Sequence, residues 1–340
     1  MQRLLRLSFS LSGVAALALS NWALLPASAQ DTGKADDLGV LEINLKDAIQ
    51  FNWGFQGALQ GAGTPNQAGI GGFLPLSVSD NSVFFVDAVA NFNFSDRSYY
   101  SSIVDTTVAG TTISTSSRVG YRWLNRDRSW MYGINAGYDS RPMNTGYADT
   151  GISVEDGSAF YQQFALNIEI ISNQWNLNAY GLIPFGDTDQ ELNWNYNGGA
   201  LKTYGLDAGY MVTPSLQVSI GSYYQKGDYN NCKGEDEVDN FGIRARISFN
   251  IANGLVAGIN ASYDDSYDSR VTADIKYRFG SNGYGSPIKQ KDWRLPTSID
   301  SISATPSNRD IRVHDVRLPS SVYRLGCMEE ITIPNPKVFS

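Results

Sequence analysis

Histidine is almost absent from this 340-residue chain, where His314 stands alone. A Ser/His/Asp triad would need it, yet no nucleophile motif surrounds it. Cysteine is as scarce. Cys232 and Cys327 are the only two, so at most one intrachain disulfide can form. No C-x-x-C and no histidine pair is available to zinc. After Ala29 no run of eighteen apolar residues occurs, so no transmembrane helix is indicated. Lysine is sparse beside 19 tyrosines, and the net charge of −8 argues against a nucleic-acid partner. These shortages point away from an enzyme, and no metal or cofactor is expected. Glu235-Asp236-Glu237 with Asp239 admits two readings, a loose divalent-cation site or a solvated acidic loop tip.

What the chain does have is alternation. From Ser117 to Pro142, Val119, Tyr121 and Trp123 alternate with Arg118, Gly120 and Arg122. Trp130, Tyr132, Ile134, Ala136 and Tyr138 then alternate with Met131, Gly133, Asn135, Gly137 and Asp139. Period two means strands with one apolar and one polar face. Aromatics sit near the strand ends and aliphatic or small residues between, while the polar face carries Gly, Asn and Arg. That is the pattern of a transmembrane β-barrel wall.

The same pattern recurs at 51–60, 70–76, 82–92, 160–170, 175–185, 201–211, 215–225, 240–250, 255–263 and 270–279. With the two arms above, this makes about twelve strands, an even number within the range of single-chain barrels. The expected fold is all-β: a single transmembrane antiparallel barrel over 51–280, closed by a strand ending at Tyr277 and Phe279. Connections alternate long and short. The short turns, near Asp80, Asp127, Asn173, Pro214 and Asn253, are read as periplasmic. The long loops, near Thr106, Asp149, Asn193 and Asp236, are read as external. Residues 186–199 and 226–239 are read as loop. Charged residues placed on the lumen face are Arg118, Arg122, Asp139, Glu169, Asp207, Arg244 and Arg246, with Asp87 a further inward acid.

The N-terminus reads as a leader. Arg3 and Arg6 precede the apolar stretch 7–25, and Ala27-Ser28-Ala29 gives a cleavage site, so residues 1–29 are expected to be a signal peptide. Residues 30–50 form a polar periplasmic lead, in which 41–51 suits either a short helix or the start of a strand. An exported barrel of this kind belongs in a Gram-negative-type outer membrane. Its expected partners are that membrane's lipid and its assembly machinery, with any surface ligand unidentified.

Phe73-Leu74-Pro75-Leu76, Ser82 to Phe92, Val119-Gly120-Tyr121-Arg122-Trp123 and Met131 to Tyr138 resemble the β-domain of the intimin/invasin family, the inverse autotransporters. Trp175 to Pro184 and Ile275 to Gly280 also fit. The resemblance covers roughly Gly71 to Gly280. It implies a twelve-stranded outer-membrane barrel whose C-terminal continuation threads back up the pore to display adhesive domains. Here the continuation is Ser281–Ser340, shorter than one immunoglobulin-like domain of about 100 residues.

In 281–340 alternation stops and Pro, Ser and Arg rise, which discourages regular structure. Two readings stand. The tail runs inside the pore, its cations facing Asp87, Asp139, Glu169 and Asp207, or it lies in the periplasm. A Cys232–Cys327 disulfide would suit only the first. Functionally, the chain reads as an anchor that displays a short segment or loops at the cell surface. The alternative is a small porin-like channel for ions or small solutes.

Overall fold

The computed structural model describes residues 43–59, 64–97, 101–143, 159–193, 196–230, 235–252, 254–280 and 297–317. The signal-peptide reading, Cys232, Cys327 and the Asp149 loop lie outside them.

Twelve strands close an antiparallel barrel. They are β1 (Asn52–Ala58), β2 (Gln67–Val78), β3 (Ser82–Asn93), β4 (Thr112–Leu124), β5 (Trp130–Met143), β6 (Ala159–Ser172) and β7 (Trp175–Phe185). Two short strands, β8 (Asp189–Asn193) and β9 (Tyr196–Ala200), stand apart. The barrel resumes with β10 (Lys202–Thr213), β11 (Leu216–Asn230), β12 (Glu235–Ala252), β13 (Leu255–Tyr263) and β14 (Arg270–Phe279). Neighbours in the barrel follow chain order, with β10 pairing β7 across the β8–β9 hairpin. Closure comes from β1 against β14, where Trp53 faces Phe279 and Phe55 faces Tyr277. The rings of Trp53 and Phe279 stack with centroids 4.7 Å apart. Closure leaves no open sheet edge, which is what allows strands to stand in lipid.

Alternation along each strand decides which side meets lipid. On β3 every second side chain from Val83 is buried and the intervening ones are turned outward. Ile134, Ile168, Ile220, Ile259 and Val271 are all exposed on the outside, as are the ring residues Trp123, Trp175, Tyr210 and Phe249. In water such a surface would drive aggregation, whereas in a bilayer it is the contact face.

Three readings from sequence need correcting. Residues 226–239 are mostly strand, because β11 and β12 stay paired out to Asn230 and Glu235. Residues 186–199 hold the β8–β9 hairpin. The tail is not wholly irregular. It forms α2 (Thr297–Asp300), a 3-10 turn (Ser301–Ser303) and β15 (Val313–Arg317), which adds to β9 as the third strand of a small sheet. For the strands among these, backbone pairing outweighed weak local propensity. Ahead of the barrel, 43–50 contains a short helix, α1 (Leu45–Ala48), capped by the Asn44 side chain on the Lys46 amide.

Candidate functional site

The lumen is the only large inward-facing polar surface among the described residues, and its geometry is set by strand register. Arg122 on β4 faces Gly133 on β5, which faces Glu169 on β6. The glycine leaves a gap, and Arg122 reaches over it to Glu169 through two bonds of 2.8 and 3.0 Å. A Cβ on Gly133 would stand 2.7 Å from the Glu169 carboxylate. The device repeats. Arg244 reaches over Gly221 to Asp207, with Nε donating at 2.6 Å. Arg246 spans the strand carrying Gly258 to pair with Asp274, one bond being 2.9 Å. Arg118 pairs bidentately with Asp139 on the adjacent strand at 2.7 and 2.8 Å. All seven charged residues assigned to the lumen from sequence are therefore brought into four wall pairs, completed by Asp274. The sequence alone does not pick out Asp274 or the pairing scheme.

Arg118 and Arg122 are fully buried. A buried charge persists only when paired and hydrogen-bonded. The cover is the chain's own C-terminal segment. At the short-turn end, Ser298 Oγ donates to the Arg128 carbonyl at 2.7 Å. Further in, Arg122 Nη1 donates to the carbonyls of Ile302 (2.9 Å) and Ala304 (2.6 Å), and Asn52 donates to that of Ser303. At mid-lumen, Asn178 donates to Ser307 Oγ, Arg118 to the Asn308 carbonyl, and Arg244 to Asn308 Oδ1. Asn308 turns the segment with a φ of 57°. Arg309 then pairs with Asp87 and donates to Ser116 Oγ at 3.0 Å. Nearer the long-loop end, Arg141 Nη1 donates to the Ile311 carbonyl at 2.8 Å.

β15 leaves the barrel proper and pairs with β9, Val313 opposite Ala200. Ile311 and Val313 join an apolar cluster with Ile103, Val108, Tyr161 and Leu192, built from loop and strand ends. The Asp315 carboxylate accepts from the Asp105 and Thr106 amides, each at 2.8 Å, and from Thr106 Oγ1. Burial nonetheless pushes its pKa up. Thus the segment 297–317 spans the lumen from one end to the other, touching at least eight wall strands. Of the four inward acids expected to face the tail's cations, only Asp87 does so. Asp139, Glu169 and Asp207 are held by wall arginines. Tyr277 and Phe279 face outward at the closing seam. His314 lies in β15, with its ring edge-on to Tyr267 at 6.4 Å. Among the described residues no group of three or more His, Cys, Asp or Glu is placed to hold a metal.

No family model matches this chain, and no curated protein matches it. Among solved structures it is similar to a chain described as "Unveiling the Mechanism Behind the in-meso Crystallization of Membrane Proteins", at 10% identity and a TM-score of 0.51. That match covers 78% of this chain and all of the other. It is also similar to an outer membrane channel of Pseudomonas putida F1 (8% identity, TM-score 0.41, covering 67% of this chain and 94% of that one). Outer membrane phospholipase A of Escherichia coli matches at 11% identity and a TM-score of 0.35, covering 68% and 97%. At 10% identity the first of these likenesses is one of fold alone.

Proposed function

We propose that this chain is an exported outer-membrane barrel that carries its own C-terminal segment through the lumen, so that the residues after Arg317 are delivered at the long-loop end. One observation carries the reading. Residues 297–317 run the length of the lumen on side-chain contacts from around the wall and finish in a sheet with β9. This agrees with the inverse-autotransporter likeness of the strand motifs, in a form that displays a short segment and takes no catalytic role. The leader 1–29, the bilayer lipid and the outer-membrane assembly machinery belong to the same proposal.

The test is surface labelling of Cys327 on intact cells with a membrane-impermeant thiol reagent, in a Cys232→Ser background under reducing conditions. Labelling is expected. Protection on intact cells, followed by labelling once the outer membrane is opened, would overturn the display reading.

A second reading, a channel gated by the tail, has its own support. The four wall ion pairs are complete without the tail, and among the described residues Arg309–Asp87 is the one ion pair that joins tail to wall. Those four pairs would stay in place if the segment withdrew. On this reading, removing 281–340 raises conductance in planar bilayers, and the removed segment is exchanged rather than displayed.

A further inference from the structure

We infer that the lumen binds a small monovalent anion beside the closing strand, between Lys276 and Arg278. These two residues stand two apart on β14, so both point inward, while Ile275, Tyr277 and Phe279 point out. Unlike the wall arginines described above, neither forms an ion pair or a hydrogen bond among the described residues. Arg278 Nη1 is buried without a partner.

Register shows what is missing. Arg122 and Arg244 each face a glycine and meet a carboxylate on the strand beyond it. Arg278 also faces a glycine, Gly54 on β1, but the residue beyond is Gly71 on β2. The facing glycine is present, although the β14 backbone closes over it at the Tyr277 carbonyl, and the carboxylate beyond it is absent. At that level neither β1 nor β2 puts a side chain into the space beside the guanidinium.

The local charge count agrees. The cations near the seam are Arg246, Lys276, Arg278 and Arg309, and the carboxylates in reach are Asp87, Asp274 and Asp310. That is four positive against three negative. Asp274 acts on Lys276 and Asp87 on Arg278, but Arg246 already uses the first and Arg309 the second, while Asp310 is shared with Arg141 and accepts from Gln67 at Oδ1. One uncompensated positive charge in an enclosed lumen is costly. Loss of the Lys276 proton would remove it but leave the guanidinium, which holds its own proton, unpaired. One halide-sized anion satisfies both donors. The surplus does not depend on the tail, since removing Arg309 and Asp310 takes away one charge of each sign. The anion site is therefore expected under either functional reading.

The experiment is chloride-35 NMR on the full chain refolded in a zwitterionic detergent. The excess linewidth contributed by the protein is expected to fall by about half or more in Lys276→Met/Arg278→Gln. It is expected to persist in Lys46→Met/Arg126→Gln, which removes the same charge at exposed positions outside the lumen. Heat-modifiable mobility on gels checks that each variant is folded, and Lys276→Met alone, with a partial loss, replaces the pair if the double variant is not. No excess in the native chain, or equal excess in all variants, overturns the inference.

Discussion

Arg118 and Asp139 show what a buried pair commits a wall to. Both are essentially inaccessible, and Gln163 donates to the same carboxylate at 2.9 Å. Arg118→Ala leaves that carboxylate buried and unpaired, so a loss of about 3–5 kcal/mol is expected in urea unfolding from lipid vesicles. Arg118→Met with Asp139→Leu should recover most of it, because an apolar pair needs no counter-charge. Gly133 tests the other half of the arrangement. Its Cβ position lies 2.7 Å from Glu169 Oε2 and 3.0 Å from Arg122 Cγ. Gly133→Val should therefore push the pair apart and free the carbonyls of Ile302 and Ala304 from Arg122. Faster amide hydrogen exchange over 302–304, with the barrel still folded, would register this. Unchanged exchange would mean that Arg122 does not hold the tail. That Arg118, Arg122, Arg244 and Arg246 point inward is legible from alternation alone. Their partners are not, since pairing with the adjacent strand, as Arg118 does, or with the next strand but one, as the other three do, depends on register, and a one-residue slip would reverse every face.

Among the elements, β15 is the one the sequence hid most completely. V-H-D-V-R is short, lies in a Pro-rich tail and has no alternating neighbour, so only its pairing with β9 makes it a strand. The barrel strands are readable because lipid on one side and lumen on the other force a strict period of two. β9, with Tyr-Asn-Gly-Gly-Ala, sits outside that constraint and reads as loop. The pH response of this small sheet is set by two adjacent groups. Burial raises the Asp315 pKa, so its contribution to docking is full below the ordinary carboxylate range and declines as pH rises through the raised value. Burial lowers the His314 pKa, so its contribution is lost as pH falls through that lowered value. The two effects oppose each other as pH falls, so protection of the β15 amides, corrected for intrinsic exchange, should drop more steeply on the acid side in Asp315→Asn than in the native chain. Equal acid dependence in the two chains would exclude this carboxylate as a contributor.

For the whole molecule, the barrel and its tail divide the work of stability. Lipid-facing apolar residues and a closed hydrogen-bond ladder hold the wall, and paired charges line it. The tail is held mainly by neutral carbonyls accepting from wall side chains, with a single ion pair among the described residues. Each such charge-assisted bond contributes about 1.5–3 kcal/mol, so the segment is secured by several moderate contacts rather than by one strong one. That arrangement permits withdrawal, which makes a covalent lock informative. The side chains of Asn178 and Ser307 meet, Nδ2 to Oγ at 3.2 Å, so Asn178→Cys and Ser307→Cys, with the native cysteines replaced by serine, set two thiols facing each other, and mass spectrometry checks that oxidation joins them. If the tail gates a channel, the oxidised protein should lose the openings that applied voltage induces in the unlocked chain, and reductant should restore them. If the tail is a permanent passenger, oxidised and reduced proteins should show the same low conductance at every voltage. Substantial conductance that ignores the lock would mean that ions pass beside the tail. The seam at Lys276 and Arg278 would then be the first place to look for their path.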